Sequence, residues 1–346
     1  MRRRITAVLA VLCLLLTGCG QTQMVETGPK RYEATFLDLF DTVTTIKGYA
    51  DSEEDFTAPA QEIHDLLEEY HQLYDIYNDY EGVVNLKTVN DSAGGDPVEV
   101  DRRIIDLLLL CRELYDSSGG MVNVAMGSVL SLWHDAREAS IDDPENAYVP
   151  DEGAIETAMA HISFDTVVID EAASTVCLTD PDQRLDVGAV AKGYAAGKAA
   201  EVMPEGMILS LGGNVCASGP KPDGSPWVVG VEDPDGGDYL KTLAITEGAV
   251  VTSGDYQRYY TVNGVTYHHI IDPTTGWPAR HWRAVTVVCE DSGLADALST
   301  AVFTMAKEEG TALLEQYGAQ ALWVADDGEL TWTDGFAAYF RDGAKQ

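Results

Sequence analysis

Basic side chains are scarce in this chain: 22 lysines and arginines stand against 57 aspartates and glutamates, for a formal net charge of −35. Like charges repel over long range, so nucleic acid and anionic surfaces are excluded as the main partners. Cysteine is sparse as well. Of six, Cys13 and Cys19 fall in the N-terminal stretch, while Cys111, Cys177, Cys216 and Cys289 sit in mostly apolar contexts with no C-x-x-C spacing. No zinc pattern exists, and the four are read either as buried thiols or as two disulfides. The chain also lacks G-x-x-x-x-G-K-[ST] and any G-x-G-x-x-G after a strand, which leaves neither a Walker-type phosphate loop nor a dinucleotide fold. The order Ser253, His269, Asp272 invites a hydrolase triad, but no G-x-S-x-G nucleophile elbow precedes it. No repeat, long linker or low-complexity stretch divides the chain.

The N-terminal apolar run, Ile5 to Leu16, is too short to span a bilayer and follows Arg2, Arg3 and Arg4. A positive n-region before a short apolar h-region is a secretory signal. It ends in Leu16-Thr17-Gly18-Cys19, which looks like the lipobox of bacterial lipoproteins, where Cys19 would carry the lipid and become the mature N-terminus. Gln21 to Lys30 is polar and low in bulky side chains, as suits a tether. The chain is therefore expected to divide into a signal peptide over 1–18, a lipidated N-terminus and tether over 19–30, and one globular unit over 31–346. Its expected location is outside the cell membrane, lipid-anchored to the outer face, or periplasmic. At 45% hydrophobic, the globular part can bury a sizeable core.

Phe36 to Tyr49 reads as two short strands around a turn near Asp41, and Ala60 to Tyr77 carries apolar residues at helical spacing. A further helix starts after Asp101, a good N-cap, and stops at Gly119-Gly120. Val167 to Leu178 resembles a hairpin. Tyr259 to Ile271 is a second hairpin with Asn263-Gly264 at its tip. Strand segments at Met207–Leu211, Trp227–Val231, Val250–Thr252, Ala284–Val288 and Ala321–Val324 mix with helices at Val190–Val202 and Gly293–Lys307. The irregular alternation predicts an α+β fold, with mixed or antiparallel sheets and packed helices, rather than a doubly wound parallel sheet.

Chemistry-bearing residues concentrate in five stretches. Asp186 to Tyr194 places an acid, two glycines and Lys192 around a helix start, where the backbone favours an anion and Gly188 allows close approach. Leu211-Gly212-Gly213-Asn214 is a tight turn that lets a ligand lie against bare backbone. Thr252 to Tyr256 and Tyr267 to Gly276 flank the second hairpin, which is expected to bring Ser253, Asp255, Tyr256, His269 and Asp272 together at one sheet end. Adjacent His268 and His269 point to opposite faces, so a metal pair made of both is excluded. In the fifth stretch Asp296, Ser299 and Thr300 share one helix face at i, i+3 and i+4. Such an all-oxygen set suits Mg²⁺, which takes one or two protein carboxylates plus substrate phosphates.

Taken in order, Phe40-Asp41-Thr42-Val43-Thr44, the tyrosine-rich segment ending near Asn90, Val124-Ala125-Met126-Gly127 with Leu132-Trp133, and the five stretches above resemble the FAD:protein FMN transferase family, the ApbE-like flavin transferases. The resemblance covers most of Tyr32 to Phe340. It implies two intertwined lobes related to the T-fold with FAD, the substrate, between them, and Mg²⁺ as cofactor. It implies Mg²⁺ held by Asp296, Thr300 and the backbone oxygen of Ala189, with Ser299 a weaker candidate. Phe40, Tyr77, Ala125, Met126, Gly127, Asp186, Lys192 and Ile271 would line the FAD site. Asn123 stands where the family usually has Asp, and Ser128 where Pro is common, which puts that loop's contacts in doubt.

The implied partner is an acceptor flavoprotein with a Thr or Ser flavinylation motif, such as a subunit of a membrane redox complex or an exported reductase. The chain has no Gly-Ala-Thr or Gly-Ala-Ser, the core of that motif, so it is not expected to be the acceptor itself. The acceptor hydroxyl would attack the FMN-side phosphorus and release AMP, with His269 or Asp255 taking the proton. Two other readings are an FAD pyrophosphatase using water at the same site and a flavin-binding lipoprotein without catalysis.

Overall fold

A computed structural model of the chain describes residues 28–341. The signal peptide over 1–18, Cys19 and the tether up to residue 27 lie outside the described residues.

The chain opens with a hairpin, β1 (Lys30–Leu39) and β2 (Thr42–Ala50), then α1 (Glu53–Tyr74), α2 (Leu86–Asp91), β3 (Val98–Glu99), α3 (Arg102–Ser117), α4 (Gly127–Asp142) and α5 (Glu152–Met159). Next come β4 (Val167–Asp170), β5 (Thr175–Leu178), α6 (Ala191–Val202), β6 (Met207–Leu211), β7 (Asn214–Ser218), β8 (Trp227–Val231), β9 (Lys241–Ile245) and β10 (Glu247–Gly254). The last part holds the hairpin β11 (Tyr259–Val262) and β12 (Val265–His268), then β13 (Ala284–Cys289), α7 (Ser292–Thr304), α8 (Lys307–Gln316), β14 (Gln320–Val324) and β15 (Leu330–Trp332).

Eight strands form one sheet in the order β1-β2-β6-β7-β10-β13-β14-β15, and every neighbouring pair is antiparallel. The expected α+β class with antiparallel sheets is what the chain adopts. Alternation along the strands sends successive side chains to opposite faces. Val251, Val285 and Val287 join the core under α1, α6 and α7, while Val250, Ala284 and Val288 pack on the other face against Trp227, Val231 and Leu243 of the β8–β9 pair. A separate apolar cluster ties α4 and α5 to the β11–β12 hairpin through Met126, Val129, Trp133, Ile155, Tyr260 and Ile271.

Several expected boundaries move. The helix read as Ala60–Tyr77 begins at Glu53 because Ser52 caps it, its Oγ accepting from Asp55 N at 3.2 Å. It ends at Tyr74, so Tyr77 lies in the loop beyond. Asp101 caps α3 as expected, and Gly119 and Gly120 follow it at φ 63° and 88°. The helix read as Gly293–Lys307 is two helices, α7 and α8, broken at Met305-Ala306. Cys111, Cys177, Cys216 and Cys289 are free thiols. The β1–β2 turn is unusual: Phe40 and Asp41 both lie in the left-handed region, at φ 52° and 51°. For L-residues that conformation costs roughly 1–2 kcal/mol each, so neighbouring contacts must hold it.

Candidate active site

The face predicted on α7 forms, but it is buried. Asp296 is 4% exposed, and its Oδ2 accepts two hydrogen bonds, from Gly193 N at 2.7 Å and from Asn214 Nδ2 at 2.9 Å. Gly193 sits in the first turn of α6, where backbone N–H groups have no helical partner. Only glycine fits there, since a Cβ on residue 193 would come within 2.3 Å of Asp296 Cβ and 2.4 Å of Ser292 O. The bond has a second effect. The N–H that Gly193 gives to Asp296 is the one that would otherwise reach back to Ala189, and among the described residues no backbone N–H is given to that carbonyl. Asp296 Oδ1 likewise has no hydrogen bond among the described residues, because both donors converge on Oδ2.

Ser299 is fully buried; its Oγ donates to Asp296 O at 2.9 Å and pairs with Ser253 Oγ at 2.8 Å. Thr300 is partly exposed and lies 3.3 Å from Ser253 Oγ. The chemistry of these donors fits a hard cation: one oriented carboxylate oxygen, one free carbonyl and one hydroxyl, with no nitrogen or sulfur. Burial pushes the Asp296 carboxyl above the usual carboxylate range, opposed by Lys192, Gly193 N–H and Asn214. A cation would remove that penalty.

Asp186 lies within electrostatic reach of His134, Lys192 and Arg258, and His269 within reach of Arg258 and Lys192, whose charge also acts on Asp296. Burial raises the Asp186 carboxyl, opposed by Gly188 N–H, His134, Lys192 and Arg258. Lys192 Nζ donates to Gly188 O at 3.0 Å, and Gly188 N donates to Asp186 Oδ1 at 2.9 Å. Tyr77, 53% exposed, stacks on His134 with ring centres 4.9 Å apart. His269 opens to solvent, yet protein crowds it on the other sides, and burial with the charges of Arg258, His268 and Lys192 holds it down to about 3. Its N and Nδ1 both donate to Arg258 O, at 3.1 and 3.2 Å, so a neutral ring carries its lone pair on Nε2. Lys192 and Arg258 supply the local positive charge that so acidic a chain needs beside an anionic ligand.

The other expected lining residues differ in exposure. Phe40 is half-buried at the β1–β2 turn. Ala125, Met126, Gly127 and Ile271 are all buried. Their loop is held by Gly127 N to Arg184 O at 3.0 Å and Asp186 N to Val124 O at 2.8 Å. Asn123, the departure from the family's Asp, uses its amide nitrogen to donate to Ile162 O at 3.0 Å and its oxygen to accept from Ala125 N. Ser128 Oγ donates to Ala158 O at 3.3 Å.

Ser253, Asp255, Tyr256, His269 and Asp272 each bond different partners, and β11 and β12 pair with each other in a two-stranded sheet as the hairpin reading requires. Ser253 joins Ser299 and Thr300. Asp255 pairs with Arg283 Nε at 3.0 Å and lines a cavity of about 920 Å³ with Glu232, Asp235, Tyr256 and Tyr259. Asp272 Oδ1 accepts from Thr274 N and Oγ1, both at 2.7 Å, and holds a turn. Gly212-Gly213 also has a job beyond bare backbone: the turn accommodates Thr42, 2.7 Å from a Cβ at residue 212, and delivers Asn214 to Asp296. Asn214, His134 and Arg258 were not singled out from sequence. Only Asn214 left a signal, as the residue closing a paired-glycine turn.

A helix N-terminus, a buried carboxylate with one unpaired oxygen, and Lys192 and Arg258 nearby are groups whose chemistry suits a phosphate-bearing ligand beside a hard cation. A profile of the ApbE family matches residues 40–323, and the chain belongs to that family. A FAD:protein FMN transferase of Treponema pallidum (strain Nichols) is 34% identical over 297 residues, covering 78% of this chain and 79% of that protein. One of Klebsiella pneumoniae (strain 342) is 30% identical over 266 residues, covering 75% and 79%. The crystal structure of an ApbE protein from Thermotoga maritima superposes with a TM-score of 0.80 at 32% identity, over 90% of this chain and 100% of that one.

Proposed function

We propose that the chain is an FAD:protein FMN transferase: it moves the FMN half of FAD onto a Thr or Ser hydroxyl of an acceptor protein and releases AMP. The observation that carries this reading is the diversion of Gly193 N–H to Asp296, which leaves Ala189 O and Asp296 Oδ1 open beside Thr300 at a helix N-terminus. Those three oxygens would hold Mg²⁺, which when bound neutralises the pyrophosphate and stabilises the leaving oxygen. Lys192 and the α6 N-terminus bind and orient the phosphates. The acceptor oxygen forms the new P–O bond to the FMN-side phosphorus as the pyrophosphate P–O bond breaks. His269 Nε2 takes the hydroxyl proton.

Water at about 55 M competes with any protein hydroxyl, so transfer depends on holding the acceptor close and in line, an advantage of up to about 7–11 kcal/mol. The test is incubation with FAD, Mg²⁺ and a domain carrying the Thr or Ser motif, followed by intact mass. We expect slow release of FMN and AMP from the protein alone. With acceptor, faster AMP release should match one FMN mass gained per acceptor. Rapid FAD hydrolysis with no mass gain on any acceptor would move the chain to the pyrophosphatase reading.

The lipobox-like Leu16-Thr17-Gly18-Cys19 supports a lipid-anchored enzyme acting outside the cell membrane on exported or membrane-bound acceptors. Cys19→Ser removes the thiol that would take the lipid. That variant should partition into the aqueous phase on detergent extraction, and undiminished membrane retention would refute the anchor.

A further inference from the structure

Phe40 and Tyr77 come from different segments, yet both are tied to one carboxylate. Phe40 N donates to His71 Nδ1 at 3.1 Å; His71 Nε2 lies 3.1 Å from Tyr80 Oη; and Tyr80 Oη donates to Asp75 Oδ2 at 2.7 Å. Asp75 Oδ1 also accepts from Tyr77 N at 2.6 Å and Asn78 N at 3.1 Å, and Oδ2 from Asn78 Nδ2 at 2.9 Å. The proton order follows from the two ends. Phe40 N can only donate, so His71 Nδ1 is an unprotonated acceptor. Burial works against charge on Asp75, but the bonds from Asn78, Tyr80 and Tyr77 outweigh it and hold the carboxyl below its usual range. Tyr80 therefore donates to Asp75 and accepts from His71 Nε2–H, which fixes the ring as the Nε2–H tautomer.

We propose that His71 is a positioning residue for flavin binding: with Tyr80 and Asp75 it forms a relay that holds the Phe40 turn and the Tyr77 loop in register with each other. The role rests on the FAD reading above. The Phe40-Asp41 turn is left-handed at both positions, so its backbone relaxes unless Phe40 N–H keeps its acceptor. The His71 ring also meets the Phe40 ring edge-on at 5.4 Å. Loss of the acceptor therefore moves the Phe40 ring, while the core beneath stays packed.

Three substitutions separate the parts. His71→Phe keeps a ring but removes both nitrogens. His71→Gln supplies a polar atom only near the Nε2 position, and His71→Asn only near Nδ1. FAD affinity, read by flavin fluorescence titration, should fall about tenfold in His71→Phe and His71→Gln and about threefold or less in His71→Asn. Tyr80→Phe alone should weaken binding, and combined with His71→Phe the loss should be smaller than the product of the two single losses, because both variants lose the same His71–Tyr80 bond. Long-range ¹H–¹⁵N NMR on the unliganded wild type should show His71 with Nδ1 unprotonated. Folded His71→Phe binding FAD as wild type does, His71→Asn losing as much as His71→Phe, or the opposite tautomer would each overturn this role alone. A wild type that binds no FAD would sink the role and the functional reading together.

Discussion

The backbone N–H of Gly193 donates to Asp296 Oδ2 at 2.7 Å across the contact of α6 with α7. That one bond caps a helix, orients a carboxylate and frees the Ala189 carbonyl, so it links fold and site at a single atom pair. A methyl at residue 193 would sit 2.3 Å from Asp296 Cβ and 2.4 Å from the Ser292 carbonyl, and neither a backbone oxygen nor a buried carboxylate stem can swing away. Gly193→Ala should therefore cost at least about 1–3 kcal/mol of stability, the usual penalty for overpacking. Mg²⁺-dependent turnover should fall with it. A melting temperature and activity equal to wild type would show that the two helices are not locked as described.

Asp296→Asn should behave differently. The residue is buried, and in the absence of a cation its carboxyl is pushed up by burial, so a neutral amide of the same shape relieves a cost instead of adding one. The amide oxygen can still accept from Gly193 and Asn214. Without Mg²⁺ this variant should melt at or above the wild-type temperature. With Mg²⁺ at a hundredfold over its dissociation constant, wild type should gain about 2.7 kcal/mol and the variant nothing. Wild-type-like activity in the variant would remove Asp296 from the metal site.

Much of this was legible in sequence where the signal is local. The i, i+4 spacing of Asp296 and Thr300 needs only a helix, and Asn263-Gly264 needs only a hairpin; both form. Asn214 lies 82 residues from its partner Asp296, and no periodicity announces such a bond. The short helices α2 and α5 escaped because six and eight residues carry too little apolar rhythm. Spacing alone also does not say which partners Asp255 and His269 take: the first pairs with Arg283 and the second with the Arg258 carbonyl.

His268 gives a pH dependence with a definite sign. It is 4% exposed; its Nε2 donates to Ala279 O at 2.7 Å and its Nδ1 accepts from Ile270 N at 3.2 Å, so the neutral ring satisfies both neighbours. Burial lowers it from 6.5 to about 4. The unfolded chain binds the proton more readily, so this contribution is fully present above pH 6.5 and is lost as pH falls toward 4. Its size is up to about 3 kcal/mol, from about 1.4 kcal/mol per pH unit. His268→Gln should flatten that part of the acid limb in urea titrations run from pH 7 to 4. An unchanged slope would mean the ring is not held neutral.

The last question is which group takes the acceptor's proton. Asp255 is committed: it pairs with Arg283 Nε at 3.0 Å, Arg283 Nη1 reaches Asp235 Oδ1 at 3.1 Å, and burial keeps the Asp255 carboxyl above its usual range. His269 has its Nδ1 on Arg258 O and, among the described residues, no hydrogen bond on Nε2, within electrostatic reach of Lys192. His269→Gln should therefore lower kcat by about 10²–10⁴, the usual worth of a positioned base, with FAD affinity changed by less than about threefold. Asp255→Asn should lower kcat by less than about tenfold, since Arg283 keeps Asp235 as a partner. Because the unliganded ring is held down to about 3, kcat/KM should show no acid limb near pH 6.5 from this group. The anionic substrate favours the protonated ring, so any limb in kcat should lie at higher pH than the one in kcat/KM. Single-turnover rates across pH 5 to 9 for both variants decide the matter. A rate collapse in Asp255→Asn with full activity in His269→Gln would reverse the assignment.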